Sequence, residues 1–160
     1  MVNKVAWITG AGSGIGEASA IKLASEGFAV VLSGRTKETL DNVASKCEGQ
    51  VSVKPLDVSN YEDVKVVFED IISDYGRVDV LVASAGLNAK NRNWHNVSEK
   101  DFEQIIKIDL NGVFYTNRLV LEKMKEQREG LIINVSSWAG KYVTTLTGPA
   151  YTAAKHGVNA

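Results

Sequence analysis

The sequence predicts a doubly wound α/β fold, a parallel sheet carrying helices on both faces, and three observations predict it. Short apolar, β-branched runs alternate with longer helical patterns along the chain, as repeated strand-helix-strand units require. Residues 9–16, TGAGSGIG, follow the first apolar run (Val5, Ala6, Trp7, Ile8) and open the first helical pattern, where a phosphate-binding turn belongs. The 160 residues, 44% apolar and 23% charged, fit one globular domain able to bury roughly 70% of its unfolded surface. Right-handed crossovers then put the ligand crevice at the carboxyl ends of the strands.

The first strand is expected near 4–9 and the first helix near 15–26. In the turn between them, Gly10, Gly14 and Gly16 free the backbone to approach an anion, and the helix aims unpaired N–H groups at it. A strand near 29–33, a helix near 37–47 and a strand near 50–56 follow. Ser59 with Glu62 forms a capping box for a helix near 60–75, which leads to a strand near 78–84. The next segment, NAKNRNWHN at 88–96, is too polar for a core and long enough to be a functional loop. Ser98 with Asp101 in the first turn starts a helix near 99–127. Its apolar positions between 102 and 124 are wider than one stripe against a sheet requires, and the excess fits a subunit interface. A fifth strand near 131–136 and a helix starting at YTAAK complete the order.

Eighteen basic against nineteen acidic residues give a net charge of −1 with no long run of either sign, which points away from nucleic acid and anionic membranes and toward a small-molecule substrate. The single cysteine, Cys47, cannot form an intramolecular disulfide and fits a reducing compartment. The stretch 1–10 is too short for a signal peptide, and no apolar run approaches the ~20 residues that span a bilayer, so a cytoplasmic protein is expected. His95 and His156 lie far apart in sequence with no ligand spacing, and no metal is expected.

Tyr151 and Lys155 stand four apart, on one face of a helix. An ammonium close to a phenol favours the phenolate, so such a tyrosine can give a proton to a nascent alkoxide or take one from an alcohol. On these two residues alone, an ordinary pair on a solvated helix face is the alternative. Ser136 and Ser137 end the fifth strand, and strand alternation sends only one of them into the crevice. Asn111 sits in an apolar stretch of helix, where it either caps a local kink or holds a water.

Together these residues resemble the short-chain dehydrogenase/reductase family, in the branch marked by Thr-Gly-x-x-x-Gly-x-Gly. The matches are TGAGSGIG, Asp57-Val58 after the third strand, Asn111 in IDLNGVF, the strand GLIINVSS and YTAAK, all in family order. The resemblance implies a Rossmann-type, three-layer α/β/α domain over 1–160. It implies an oxidoreductase that moves a hydride between a nicotinamide and a small carbonyl or secondary alcohol. Tyr151 would be the general acid/base, and Lys155 would lower its pKa and bind the nicotinamide ribose. Ser137 would hydrogen-bond the substrate oxygen, and Asn111 would hold a water linked to Lys155. Gly10, Ser13, Gly14, Ile15 and Gly16 would take the diphosphate, Asp57 and Val58 would meet the adenine, and Ala85-Gly86 would let the cofactor lie close. At the end of the second strand, Gly34 stands where NAD-preferring relatives carry a carboxylate and Arg35 follows, so NADP is favoured over NAD. A homodimer or homotetramer is implied.

Two departures stand out. Ala83-Ser84 occupies the place of the usual Asn-Asn, and the sequence ends at Ala160, in the YTAAK helix, so the last strands and substrate-covering segment of a usual member are expected to be missing. The rival reading is a nucleotide-binding regulatory or scaffold protein of the same fold without turnover.

Overall fold

The structure, a computed structural model, describes residues 4–160. Five parallel strands, β1 (Val5–Thr9), β2 (Ala29–Ser33), β3 (Val51–Val53), β4 (Val80–Ala83) and β5 (Leu131–Asn134), lie in the order β3-β2-β1-β4-β5. The chain builds outward from β1 to β3, then returns to β4 on the other side of β1. That reversal leaves a crevice above the carboxyl ends of β1 and β4.

The central strands are apolar on both faces because helices cover both: every residue of β1, β2 and β4 is buried. On one face Ala6, Ile8, Val30 and Leu32 pack with Ala20 and Ala24 of α1 (Gly14–Ser25) and Leu40 and Val43 of α2 (Lys37–Ala44). On the other, Trp7, Val31 and Leu81 pack with Val64 and Ile71 of α3 (Tyr61–Tyr75) and Val113 and Val120 of α5 (Gly112–Gln127). The buried Trp7 indole donates to Ser33 Oγ at 3.0 Å, which satisfies its one polar atom.

The amino-terminal ends of the central strands are tied by Asp79. Its carboxylate accepts the Val5 N–H at 2.7 Å and pairs with Arg77, while its backbone joins β1 and β5 through Val5 O and the Leu131 N–H. Burial alone would raise this carboxyl, but the Arg77 guanidinium and the Val5 N–H together outweigh it and hold Asp79 below its usual range.

Three expectations are corrected. The third strand is three residues long, although the Lys54 and Leu56 N–H groups beyond it still donate to the Leu32 and Gly34 carbonyls at 3.0 and 2.9 Å. The cap of α3 is Asn60, whose Oδ1 accepts the Glu62 N–H at 3.0 Å, and not Ser59, whose hydroxyl turns to Asp57 at 2.7 Å. The helix predicted near 99–127 is α4 (Glu99–Ile106) and α5 joined by a π-helical segment, Lys107–Asn111. Ser98 caps it as expected, accepting the Asp101 N–H at 3.0 Å. The last helix, α6 (Pro149–Asn159), carries YTAAK in its first turns. Phe102, Phe114 and Leu121 remain exposed on α4 and α5, as an apolar surface wider than the sheet face requires. No helix among the described residues is long and apolar enough to cross a membrane.

Candidate functional site

The glycine turn is built by exclusion of side chains. Gly10 has φ +65°, a region that disfavours side chains, and a Cβ there would lie 2.7 Å from the Ala85 backbone nitrogen. A Cβ on Gly16 would collide with the Gly10 carbonyl, so the helix can begin only where residue 16 has no side chain. The buried Thr9 hydroxyl accepts the Ala85 N–H at 3.4 Å, which fastens the turn to the end of β4. Ser13 is the extended N-cap of α1 and its side chain caps nothing, leaving the first-turn N–H groups to an outside acceptor.

Beside this turn lies a cavity of about 280 Å³. Gly10, Ser13, Arg35, Asp57, Val58, Ala85 and Gly86 of the expected set line it. Thr36, Thr39 and Leu56, which the sequence reading did not single out, complete its wall. A Cβ on Gly12 would strike Thr39 Oγ1, so that wall stands close to the turn. Asp57 is held by the Ser59 N–H and hydroxyl at 3.0 and 2.7 Å, both on Oδ1. Arg35 is exposed and forms no ion pair or side-chain hydrogen bond among the described residues.

A second cavity, of about 390 Å³, shares Gly86 and Leu87 with the first. Tyr151, Lys155, Ser136, Ser84, Ile15 and Asn88 stand on its wall. Ile15 therefore faces this cavity rather than the first, while Gly14 and Gly16 line neither. The Lys155 ammonium lies 5.5 Å from the centre of the Tyr151 ring. It is buried, donates to the Val135 carbonyl at 3.2 Å and meets Asp109 Oδ2 at 3.3 Å as an ion-pair contact.

Asp109 is a site residue that the sequence reading did not single out. The residue the π segment turns toward Lys155 is Asp109, fully buried, whose Oδ1 accepts the Leu87 N–H at 2.9 Å. Asn111, two positions on, points about half a turn away. Its side chain makes no hydrogen bond among the described residues and does not cap the bend. Burial raises the Asp109 carboxyl above the usual range, opposed by the Leu87 N–H and by Lys155. A signal for it existed, since residues 105, 109 and 113 share the core-facing stripe and a carboxylate there is out of place.

The two serines separate as alternation predicts, with one refinement. Ser136 lines the cavity and donates to the Lys155 carbonyl at 3.3 Å. Ser137, the expected substrate contact, is not on that wall; its oxygen accepts the Ala139 N–H at 3.1 Å and caps a short 3₁₀ turn, Trp138–Gly140. In the expected functional loop, Asn88 ties to the Thr147 carbonyl at 3.0 Å and Arg92 reaches the second cavity. His95 and His156 come together on a separate groove of about 730 Å³ with Trp94, Phe102 and Val143.

The family model for short chain dehydrogenases matches residues 4–160, and the chain belongs to that family. It is 39% identical over 142 residues to a 3-oxoacyl-[acyl-carrier-protein] reductase from Thermotoga maritima, covering 87% of this chain and 57% of that protein. It is 38% identical over 162 residues to an uncharacterized oxidoreductase from Staphylococcus aureus, covering 99% of this chain and 68% of that one. A metagenomic short-chain oxidoreductase solved in complex with NADP superposes with a TM-score of 0.90 at 34% identity, over 99% of this chain and 73% of that one. An alcohol dehydrogenase from Thermococcus sibiricus, complexed with 5-hydroxy-NADP, gives 0.89 at 34% identity, over 97% and 66%. The chain thus spans a little over half of the Thermotoga reductase and about two thirds of the others.

Proposed function

We propose that this chain is the nucleotide-binding and acid-base part of an NADP-dependent oxidoreductase acting on a small carbonyl or secondary alcohol, with Tyr151 as the general acid/base. The observation that carries it is the placement of Tyr151 and Lys155 on one wall of a cavity that shares Gly86 and Leu87 with the cavity of the glycine turn. The residues fit a dinucleotide. Gly10, Gly12 and Gly16 are positions where a side chain would clash, the first-turn N–H groups of α1 are free of a side-chain cap, and the second cavity shares Gly86 and Leu87 with the first. Arg35, without an ion pair among the described residues, suits a ribose 2′-phosphate, in keeping with the NADP and 5-hydroxy-NADP held by two structural relatives.

When bound, the nicotinamide ring supplies or takes up the hydride. The protein's part is to place the substrate oxygen and move one proton. In the reducing direction the Tyr151 hydroxyl gives its proton to the carbonyl oxygen as that carbon is reduced. Ser136 has already committed its hydrogen to the Lys155 carbonyl, whereas Ser137 uses a lone pair for Ala139 and keeps its hydrogen. We therefore keep Ser137 as the second donor to the substrate oxygen. Lys155, with one hydrogen on Val135 and another facing Asp109, has a third to offer a ribose hydroxyl. The lone Cys47 fits action in the cytoplasm, and the exposed Phe102, Phe114 and Leu121 fit burial between copies in a homodimer or homotetramer.

Tyr151→Phe tests the reading. Turnover of a panel of small ketones and aldehydes with NADPH should fall by about 10²–10⁴-fold while NADPH affinity stays within about twofold, since the hydroxyl contributes a proton and little contact. Retention of most of kcat overturns the assignment, and tight binding with no turnover in the unaltered protein favours the binding-protein alternative.

A further inference from the structure

Asp79, Asp109 and Lys155 are the buried charged residues among those described, and two of the three meet each other. The Asp109 carboxylate spans two structures. Oδ1 holds the Leu87 N–H of the loop after β4, and Oδ2 faces the Lys155 ammonium of α6 without the alignment of a hydrogen bond or any other partner. The pair lies directly under the loop: a Cβ on Gly86 would sit 2.9 Å from Oδ2 and 3.4 Å from Lys155 Nζ. A neutral amide at this position would hold the Leu87 N–H as well. What the carboxylate adds is charge.

Among the described residues no other charged group pairs with Asp109, although Arg92, in the loop after β4, lines the same cavity as Tyr151 and Lys155. On α6, His156 turns to the Thr152 carbonyl at 2.9 Å, and Tyr151 stands beyond the ammonium. On the π segment itself, Lys107 pairs outward with Glu103 of α4, while Glu99 and Lys100 of α4 are exposed. The first turn of α5 carries no acid, and Lys90, in the loop after β4, is exposed.

We propose that Asp109 is a positioning residue, which fixes Lys155 beneath the loop at 85–87 and, by neutralising part of its charge, sets the pH range in which Tyr151 exchanges its proton. The inference rests on the assignment of Tyr151 above. In the alkaline range where a phenol titrates, the Asp109 carboxylate is ionised, and its negative charge opposes the pull of the ammonium on the phenolate. Removing that charge therefore moves Tyr151 toward lower pH.

The test is Asp109→Asn, which keeps the acceptor for Leu87 and removes the charge, with Asp109→Ala as a second variant that removes both. Two readouts are followed. One is the tyrosinate absorbance of the protein without cofactor, taken as the difference from the same protein carrying Tyr151→Phe. The other is the pH profile of kcat/KM for alcohol oxidation. Both variants should move the Tyr151 midpoint down by about one pH unit, and the acid limb of the profile with it. Asp109→Ala alone should also weaken NADPH binding, by about five- to tenfold, because the loop loses its tether. A midpoint unchanged within about 0.2 unit in a folded variant overturns the proposal, as does failure of both variants to fold, which would make the residue a structural one. High activity of Tyr151→Phe would instead overturn the assignment on which the proposal rests, whatever the midpoint does.

Discussion

The sheet buries one aspartate at each end, and the two are treated in opposite ways. At the amino-terminal end, Asp79 receives a backbone N–H and a guanidinium, and its carboxyl is held below the usual range. At the carboxyl-terminal end, Asp109 receives one N–H, leaves Oδ2 without a hydrogen bond, and is raised by burial. Burial pushes both carboxyls up, and the groups that oppose it overcome it at Asp79 but not at Asp109. The first end is closed by its own groups, whereas the second keeps unspent capacity: a carboxylate oxygen that meets Lys155 without a hydrogen bond, an ammonium with a hydrogen to offer, N–H groups without a side-chain cap, and an arginine without an ion pair among the described residues. Such unspent groups at the crevice are what the proposed ligand site requires.

The largest expected effect is at the closed end. Asp79→Ala strands the Val5 N–H and frees a partly buried Arg77, and should lower the unfolding free energy in urea by about 3–5 kcal/mol. Cofactor affinity of the fraction that folds should be unchanged, and a loss of NADP binding without a loss of stability would erase the contrast between the ends.

Arg35→Ala should do the reverse. NADP binding should weaken by about 1.5–3 kcal/mol by calorimetry, NAD binding far less, with Tm unmoved because the side chain forms no ion pair among the described residues. Equal losses for both nucleotides would make Arg35 structural.

Asp109→Asn should change stability at neutral pH by less than about 1 kcal/mol, since the relief of burying a carboxylate offsets the loss of a partner for Lys155. The two aspartates should also differ in sign against pH. Asp79, lowered from 3.8, contributes stability that is present above that value and lost as pH falls through its folded pKa. Asp109, raised from 3.8, favours the native state most below that value and loses the contribution as pH rises through its folded pKa. Urea melts across the acid range should therefore show a shallower acid loss for Asp79→Asn and a steeper one for Asp109→Asn. Parallel curves would sink the distinction.

The order of elements was legible in the sequence because strand and helix patterns are local. β1, β2 and β4 are apolar runs that read as two-sided burial, and the glycine turn is a steric demand confined to a few residues. Family spacing brought Tyr151, Lys155, Arg35, Asp57, Val58, Ala85 and Gly86 onto the crevice residue by residue. What the sequence could not decide was which side chain turns inward where the helical period changes. The π segment Lys107–Asn111 shifts the phase within one turn, and the fold sets Asp109 against Lys155, a pairing the sequence did not reveal. The different surroundings of Ser136 and Ser137 were likewise set by the Lys155 carbonyl, nineteen residues along the chain, and the nearby Ala139 N–H. Patterns of burial and glycine sterics are properties of short segments and are written in them. The partner of a buried charge is set by distant elements meeting in three dimensions, and only the tertiary structure decides it.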